Sequence, residues 1–237
     1  MSKAALITGG GKRLGKAMSL YLAQRGYDIA IHYNHSDKEA KETADLIRKT
    51  GRKCEIFQAN LSNIKEVRNL IPKVLEVFPT CSILINSASI FENIGFSDVT
   101  EEVFDRDFNT NFKAPFFLSQ DFSNGNHSEL IINMLDMRIN KIETEHFSYN
   151  LTKKALRDFT LMAAKDLGPK IRVNGICPGP ILPPPDKDIH YLEKIAANTP
   201  LKKAGNPDYI ISAVEYILDN PFVTGQYLFV DGGQHLV

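Results

Sequence analysis

Short, continuously apolar stretches alternate along this chain with longer segments whose apolar residues recur at helical spacing. "AALITG", residues 4–9, reads as a strand ending in a turn, and residues 13–25 carry Leu14, Ala17, Met18, Tyr21 and Leu22 on one helical face. "DIAIHY" then reads as a strand, residues 37–50 as a helix, "CEIFQA" as a strand, residues 64–78 as a helix and "SILIN" as the fourth strand. Strands that are apolar throughout belong to a parallel sheet covered on both faces.

The alternation continues to the far end. A long helix is expected over 101–122, bent at Pro115, followed by the strand "SELIINM". Residues 148–167 predict an amphipathic helix through Leu151, Ala155, Phe159, Met162 and Ala163. "KIRVNGI" is the sixth strand, 207–219 a helix and "QYLFV" the seventh strand. The expected fold is α/β: a single Rossmann-fold domain over 1–237, with a doubly wound, seven-stranded parallel sheet and helices on both faces. No linker divides the chain. The proline cluster "CPGPILPPP" after strand six must be a loop, placed to cover a ligand beyond the carboxyl ends of the strands.

Composition removes several function classes. Hydrophobic residues make up 43% of the chain, and 28 Lys and Arg balance 28 Asp and Glu. Such a balance gives no electrostatic footprint for nucleic acid or an anionic membrane, and neither is expected as a partner. No basic segment followed by an apolar stretch opens the sequence, so no signal peptide is expected, and no apolar run approaches membrane-spanning length. Cys54, Cys81 and Cys177 form no CxxC pair and are expected to be buried thiols in a reducing, cytoplasmic setting. The histidines lack metal-ligand spacing, so no metal is expected.

The turn after the first strand, "TGGGKRLG", carries Gly9, Gly11 and Gly15, which permit a tight turn and close approach to a pyrophosphate at a helix N-terminus. Lys12 is not followed by Ser or Thr, which sets aside a Walker phosphate loop. The end of strand two offers Asn34, His35 and Ser36 where an NAD-binding chain has a carboxylate for the ribose hydroxyls. Arg13, Ser36 and His35 could donate hydrogen bonds to a 2′-phosphate, which favours NADPH; Asp37 is expected to cap the following helix. In "YNLTK", Tyr149 and Lys153 stand four apart on one helix face, a phenol beside an ammonium that can lower its pKa.

With "HYNHS", "INSASIF", "IINMLD", "IRVNGICPG" and "FVTGQYLFVDGGQHL" in the same order, the chain resembles the short-chain dehydrogenase/reductase family over nearly its full length, and within it the pteridine reductases, including the bacterial dihydromonapterin reductases. The resemblance implies Tyr149 as catalytic acid, Lys153 as its partner and Asn111 as the asparagine of the long helix. It also implies Asp136 where most of the family places serine, as in pteridine reductases. Arg13 and Leu14 would line the dinucleotide with Asn60 and Leu61, with Asn86, Ser87 and Ala88, and with Pro178 and Gly179. Ser89, Phe91 and Pro180 would meet the substrate beside Arg13, Asp136 and Tyr149, Phe91 stacking a pterin ring. "NSAS" in place of "NNAG", and Asn60 in place of Asp, depart from the usual family pattern but keep small polar groups. The expected reaction is NADPH-dependent hydride transfer to a 7,8-dihydropterin (dihydromonapterin, dihydrobiopterin or dihydrofolate). The alternatives are a carbonyl or 3-oxoacyl-thioester reductase and a nucleotide-sensing protein without turnover. A homotetramer is implied, and the short segment after Pro178 suits a small substrate.

Overall fold

In a computed structural model, which describes residues 2–184 and 187–237, the strands form one seven-stranded parallel sheet ordered β3-β2-β1-β4-β5-β6-β7. The strands are β1 (Ala4–Thr8), β2 (Asp28–Tyr33), β3 (Cys54–Gln58), β4 (Cys81–Asn86), β5 (Leu130–Met134), β6 (Arg172–Pro178) and β7 (Tyr227–Val230). The helices are α1 (Arg13–Gln24), α2 (Asp37–Arg48), α3 (Ile64–Val77), α4 (Glu101–Phe108), α5 (Ala114–Ser123), α6 (Phe147–Leu167), α7 (Ile189–Ala196) and α8 (Pro207–Asp219).

Successive side chains of a strand point to opposite faces, which sorts the core into two layers. Ile7, Ile31, Ile85 and Ile132 face α1, α2 and α8 through Met18, Leu22, Ala44, Ile47, Val214 and Ile217. Their neighbours Leu6, Ala30, Leu84 and Ile131 face α3, α5 and α6 through Val67, Leu70, Leu118, Phe122 and Ala163. Strand order reverses between β1 and β4, so a crevice opens at the carboxyl ends of those strands.

Three local features differ from the sequence expectation. The long helix is interrupted by a π-helical turn, Asn109–Lys113, in which the Ala114 N–H reaches back to the Asn109 carbonyl. Pro115 opens α5 rather than bending a continuous helix; lacking an N–H, it forgoes no bond in a first turn. On α6, Ala163 is core, but Leu151 and Met162 are exposed. The helix instead buries Tyr149, Lys153, Leu156 and Thr160, because Thr160 accepts a bond from Asn133 Nδ2 (2.9 Å) while Tyr149 and Lys153 must face the crevice. The short helix α7 lies beyond the proline loop, held by Leu192 and Ala196; the last proline of that loop, Pro185, lies outside the described residues.

The three cysteines are free and buried, and desolvation pushes their thiols up, to about 12 for Cys54 and Cys81. Among the described residues no cluster of three or more His, Cys, Asp or Glu is placed to hold a metal, and no helix is long and apolar enough to cross a membrane.

Candidate active site

The crevice is pinned open from beneath by two side chains. Thr8 ends β1, and its hydroxyl accepts from the Ser87 and Ala88 N–H groups (2.9 and 3.0 Å), joining the glycine turn to the end of β4. His32, buried at the end of β2, accepts from the Gly9 N–H through Nδ1 (3.2 Å) and donates through Nε2 to the Ala59 carbonyl (2.9 Å). Desolvation pushes the imidazole down to about 4, so it is neutral in this role.

Gly9 takes φ +64°, a left-handed conformation that glycine adopts without strain. A Cβ on Gly15 would lie 2.1 Å from the Gly9 carbonyl oxygen, and one on Gly11 would lie 2.8 Å from Ala40 Cα. The turn therefore packs directly on α1 and α2. No side chain caps α1 and no acidic residue occupies its first turn, so its leading N–H groups present positive potential to the crevice. A glycine turn closed this tightly, followed by an uncapped helix, fits the diphosphate of a dinucleotide.

The second strand end has its own charge arrangement. Ser36, not Asp37, holds the N-cap position of α2, and its side chain makes no capping bond. Asp37 starts the helix, taking a hydrogen bond from Tyr33 (3.0 Å) and an ion pair from Lys41 (2.7 Å), which hold its carboxyl below the usual carboxylate range. The difference has a simple cause: Tyr33 and Lys41, both four residues away, offer Asp37 partners that an N-cap would forgo. His35 is exposed at the same corner. Asn60 folds onto its own loop, its Oδ1 accepting from Ser62 N–H (3.0 Å), and Leu61 is buried.

At the other end, the Tyr149 hydroxyl donates to Asp136 Oδ2 at 2.7 Å. Asp136 Oδ1 caps the following 3₁₀ turn, Met137–Asn140, by accepting from the Arg138 N–H (2.9 Å). Lys153, fully enclosed, donates to the Met134 carbonyl (2.8 Å), and burial pushes its ammonium down to about 8. The sequence pairing led us to expect Lys153 to lower the Tyr149 pKa. In the structure other influences prevail: burial and the adjacent Asp136 carboxylate raise the phenol well above its usual value. Asn111, inside the π turn, accepts from Ser89 Oγ (3.1 Å) and Ile90 N–H (2.9 Å) and donates to Ile90 O (3.0 Å), fixing the segment that leads to Phe91. The Phe91 ring stacks on His146 at 4.0 Å and meets the edge of Tyr149 at 4.7 Å.

With Asn111 buried behind them, Tyr149, Asp136, Arg138, Lys153, Phe91 and His146 line a cleft of about 1030 Å³. It gathers Arg13, Leu14, Ser87 and Ser89 on the dinucleotide side, Phe91, Asp136, Tyr149 and Lys153 at the floor, and Pro178, Gly179 and Pro180 beneath the proline loop. Asn86 does not face it: the amide is buried and donates to Asn133 (2.8 Å) and Ser119 (3.3 Å), while its Oδ1 has no protein partner. Ala88 lies against Gly9 beneath the turn, and His35, Ser36, Asn60 and Leu61 sit beyond the cleft at the ends of β2 and β3. Arg13 adopts φ +53° and donates to the Pro183 carbonyl (2.8 Å), tying the proline loop to the glycine turn.

Sequence reasoning passed over Thr8, His32, Arg138 and His146. A histidine within an otherwise apolar strand was the available signal for His32. Nothing in the spacing marked the other three.

Known proteins of similar sequence and shape include reductases and NADP complexes. A family model described as "Enoyl-(Acyl carrier protein) reductase" matches residues 11–235. A hydroxynaphthalene reductase-like protein, Arp2 of Metarhizium acridum, is 32% identical, the match covering 98% of this chain and 94% of that one. Two solved structures are both 34% identical: FolM alternative dihydrofolate reductase 1 from Brucella canis, complexed with NADP (TM-score 0.92, covering 99% and 95% of the two chains), and its counterpart from Brucella suis in complex with NADP (0.94, 99% and 96%).

Proposed function

We infer the reaction from one premise: this chain belongs to the short-chain dehydrogenase/reductase family. It is an NADPH-dependent reductase related to the pteridine reductases. Its substrate is a 7,8-dihydropterin, reduced to the tetrahydro form, with dihydromonapterin, dihydrobiopterin and dihydrofolate as the candidates. The observation that carries the assignment is the direct 2.7 Å contact between Tyr149 and Asp136.

NADPH supplies the hydride when bound. Reduction of the dihydropterin C=N bond also needs a proton at nitrogen, and the residues of the floor are arranged to deliver one. The raised Tyr149 pKa keeps the phenol protonated at neutral pH, so it serves as donor rather than base. Asp136, in direct contact with that hydroxyl, is placed to relay a proton to it. A carbonyl substrate is disfavoured, because its oxygen would face a carboxylate where a serine hydroxyl could donate. Lys153 braces the Met134 carbonyl just before this pair, and Asn111 holds the Phe91 segment at the right height. Phe91 already packs one flat heterocycle, the His146 ring, and a pterin uses the same kind of contact.

NADPH is preferred over NADH because Asp37, the carboxylate that begins α2, is tied to Lys41 and Tyr33, while Ser36 keeps an unused hydroxyl. We further assign a cytoplasmic homotetramer. The rings of Phe104, Phe108, Phe112 and Phe116 run in sequence along α4 and α5, and Leu151 and Met162 on α6 stand exposed.

A second reading on the same fold is reduction of a 3-oxoacyl thioester or other carbonyl; the family model's description names an acyl-carrier-protein substrate, although its enoyl group is reduced at C=C rather than at a carbonyl. Oxygen-protected turnover assays with NADPH separate the two. Dihydropterins are expected to be the faster substrates. Faster turnover of 3-oxoacyl thioesters would move the assignment to carbonyl reduction.

A further inference from the structure

We propose that Arg138 is a positioning residue of this reaction, holding the Asp136 carboxylate in place against Tyr149 and setting the pH range over which that pair works. The proposal rests on the Asp136–Tyr149 site being the catalytic one, not on which substrate it reduces.

Arg138 lies two residues after Asp136, and its side chain folds back onto the same carboxylate. Nη1 stands 3.3 Å from Oδ1 and 3.4 Å from Oδ2, while the Arg138 N–H binds Oδ1 at 2.9 Å. Arg138 thus holds both carboxylate oxygens, its backbone N–H and Nη1 on Oδ1 and Nη1 also near Oδ2, which takes the Tyr149 hydroxyl at 2.7 Å. Rotation of the carboxyl group away from Tyr149 would break the arginine contacts as well. The same guanidinium donates through Nε to Glu143 Oε2 (2.8 Å) and lies 5.5 Å from the centre of the Phe91 ring. One side chain therefore joins the turn after β5, the segment entering α6 and the loop after β4. These three walls carry Asp136, Glu143 and Phe91.

The pairing is partly enclosed, the side chains of Arg138, Asp136 and Glu143 being 23%, 12% and 31% exposed. Charges so placed interact more strongly than a surface pair, and removing one partner leaves the others uncompensated. Arg138 is faced by Asp136 from the turn after β5, by Glu143 and His146 from the segment before α6, and by Tyr149 from α6. Lys153 adds a second cation on the far side of Asp136, and Lys141 approaches Glu143 at 3.9 Å. Arg138 is thus the cation between two carboxylates. Its removal favours their protonated forms, and removal of Glu143 leaves its full charge to Asp136. Whichever limb of the pH–rate profile the Asp136–Tyr149 pair governs, the first change moves its midpoint up and the second moves it down.

The test compares pH profiles of kcat and kcat/KM for the wild type, R138Q, R138K and E143Q. NADPH is the reductant, and the oxidised partner is a dihydropterin or, if that is not turned over, the carbonyl substrate that is. In the latter case the substrate assignment falls while the Arg138 comparison proceeds. R138Q is expected to lower kcat roughly 10- to 100-fold, part of the contribution of a positioned acid, and to raise the midpoint. R138K is expected to restore the wild-type midpoint and part of kcat. E143Q is expected to move the midpoint down, a reading that stands even if R138Q folds poorly in a thermal melt. Loss of activity in R138Q with the midpoints of R138Q and E143Q both unmoved would reduce Arg138 to a loop brace and overturn the proposal, as would full activity in R138Q.

Discussion

Lowering the pH is expected to destabilise the fold through His32, the neutral imidazole beneath the glycine turn. Enclosed in the sheet, it spends Nδ1 on accepting the Gly9 N–H and Nε2 on donating to Ala59, so the folded protein has no place for a second ring proton. Its pKa falls from 6.5 to about 4. The unfolded chain takes up the proton first as pH falls, so the stabilisation is complete above about pH 6.5, declines below it and is lost by about pH 4. At about 1.4 kcal/mol per pH unit, a shift of this size is worth about 3 kcal/mol. Urea unfolding of the wild type and of His32→Gln, followed from pH 7.5 to 4, isolates this contribution from that of the carboxylates, which both proteins share. At neutral pH the variant should be less stable by about 1–2 kcal/mol, for the hydrogen bond it remakes poorly. The gap should close or reverse by about 3 kcal/mol on acidification. Parallel pH curves for the two proteins would refute the reasoning, because the imidazole would then titrate alike folded and unfolded.

Gly15→Ala is expected to abolish tight NADPH binding, measured by quenching or calorimetry, since its Cβ would collide with the Gly9 carbonyl at 2.1 Å and displace the turn. Steady-state kinetics should favour NADPH over NADH, and Ser36→Ala should narrow that preference several-fold at roughly 1–2 kcal/mol for a hydrogen bond to a charged group. Light scattering should return a tetramer at micromolar concentration; a monomer would leave the exposed Phe104, Leu151 and Met162 unexplained.

The order of the elements was readable because both faces of the sheet are covered. Strands such as β1 and β4 are buried at every position and mostly apolar, and α1, α2 and α3 carry stripes wide enough to mark their length within two residues. The π turn at Asn109–Lys113 was not readable. It adds one residue to a turn without breaking the apolar period, and Pro115 suggested a bend where it begins a helix. The α6 pattern misled for another reason. Its apolar residues serve two surfaces, and the side that packs inward is partly polar, through Thr152, Lys153 and Thr160. The glycine turn and the Tyr149–Lys153 pair were marked by residue type and spacing, whereas Asp136 was marked only by the family resemblance. The direction of the Tyr149 shift was not legible, because it depends on burial and on a 2.7 Å contact between residues thirteen apart.

The most direct measurement is dihydropterin turnover by Asp136→Ser under saturating, chemistry-limited conditions, with NADPH affinity measured alongside. Serine can hold a carbonyl oxygen but cannot share a proton with Tyr149 as a carboxyl group does near neutral pH. The variant is expected to bind NADPH as the wild type does and to lose about 10²–10⁴-fold in dihydropterin turnover, the usual worth of a positioned acid. Full dihydropterin turnover in the serine variant would contradict the account, leaving Asp136 as no more than the cap of the turn it begins.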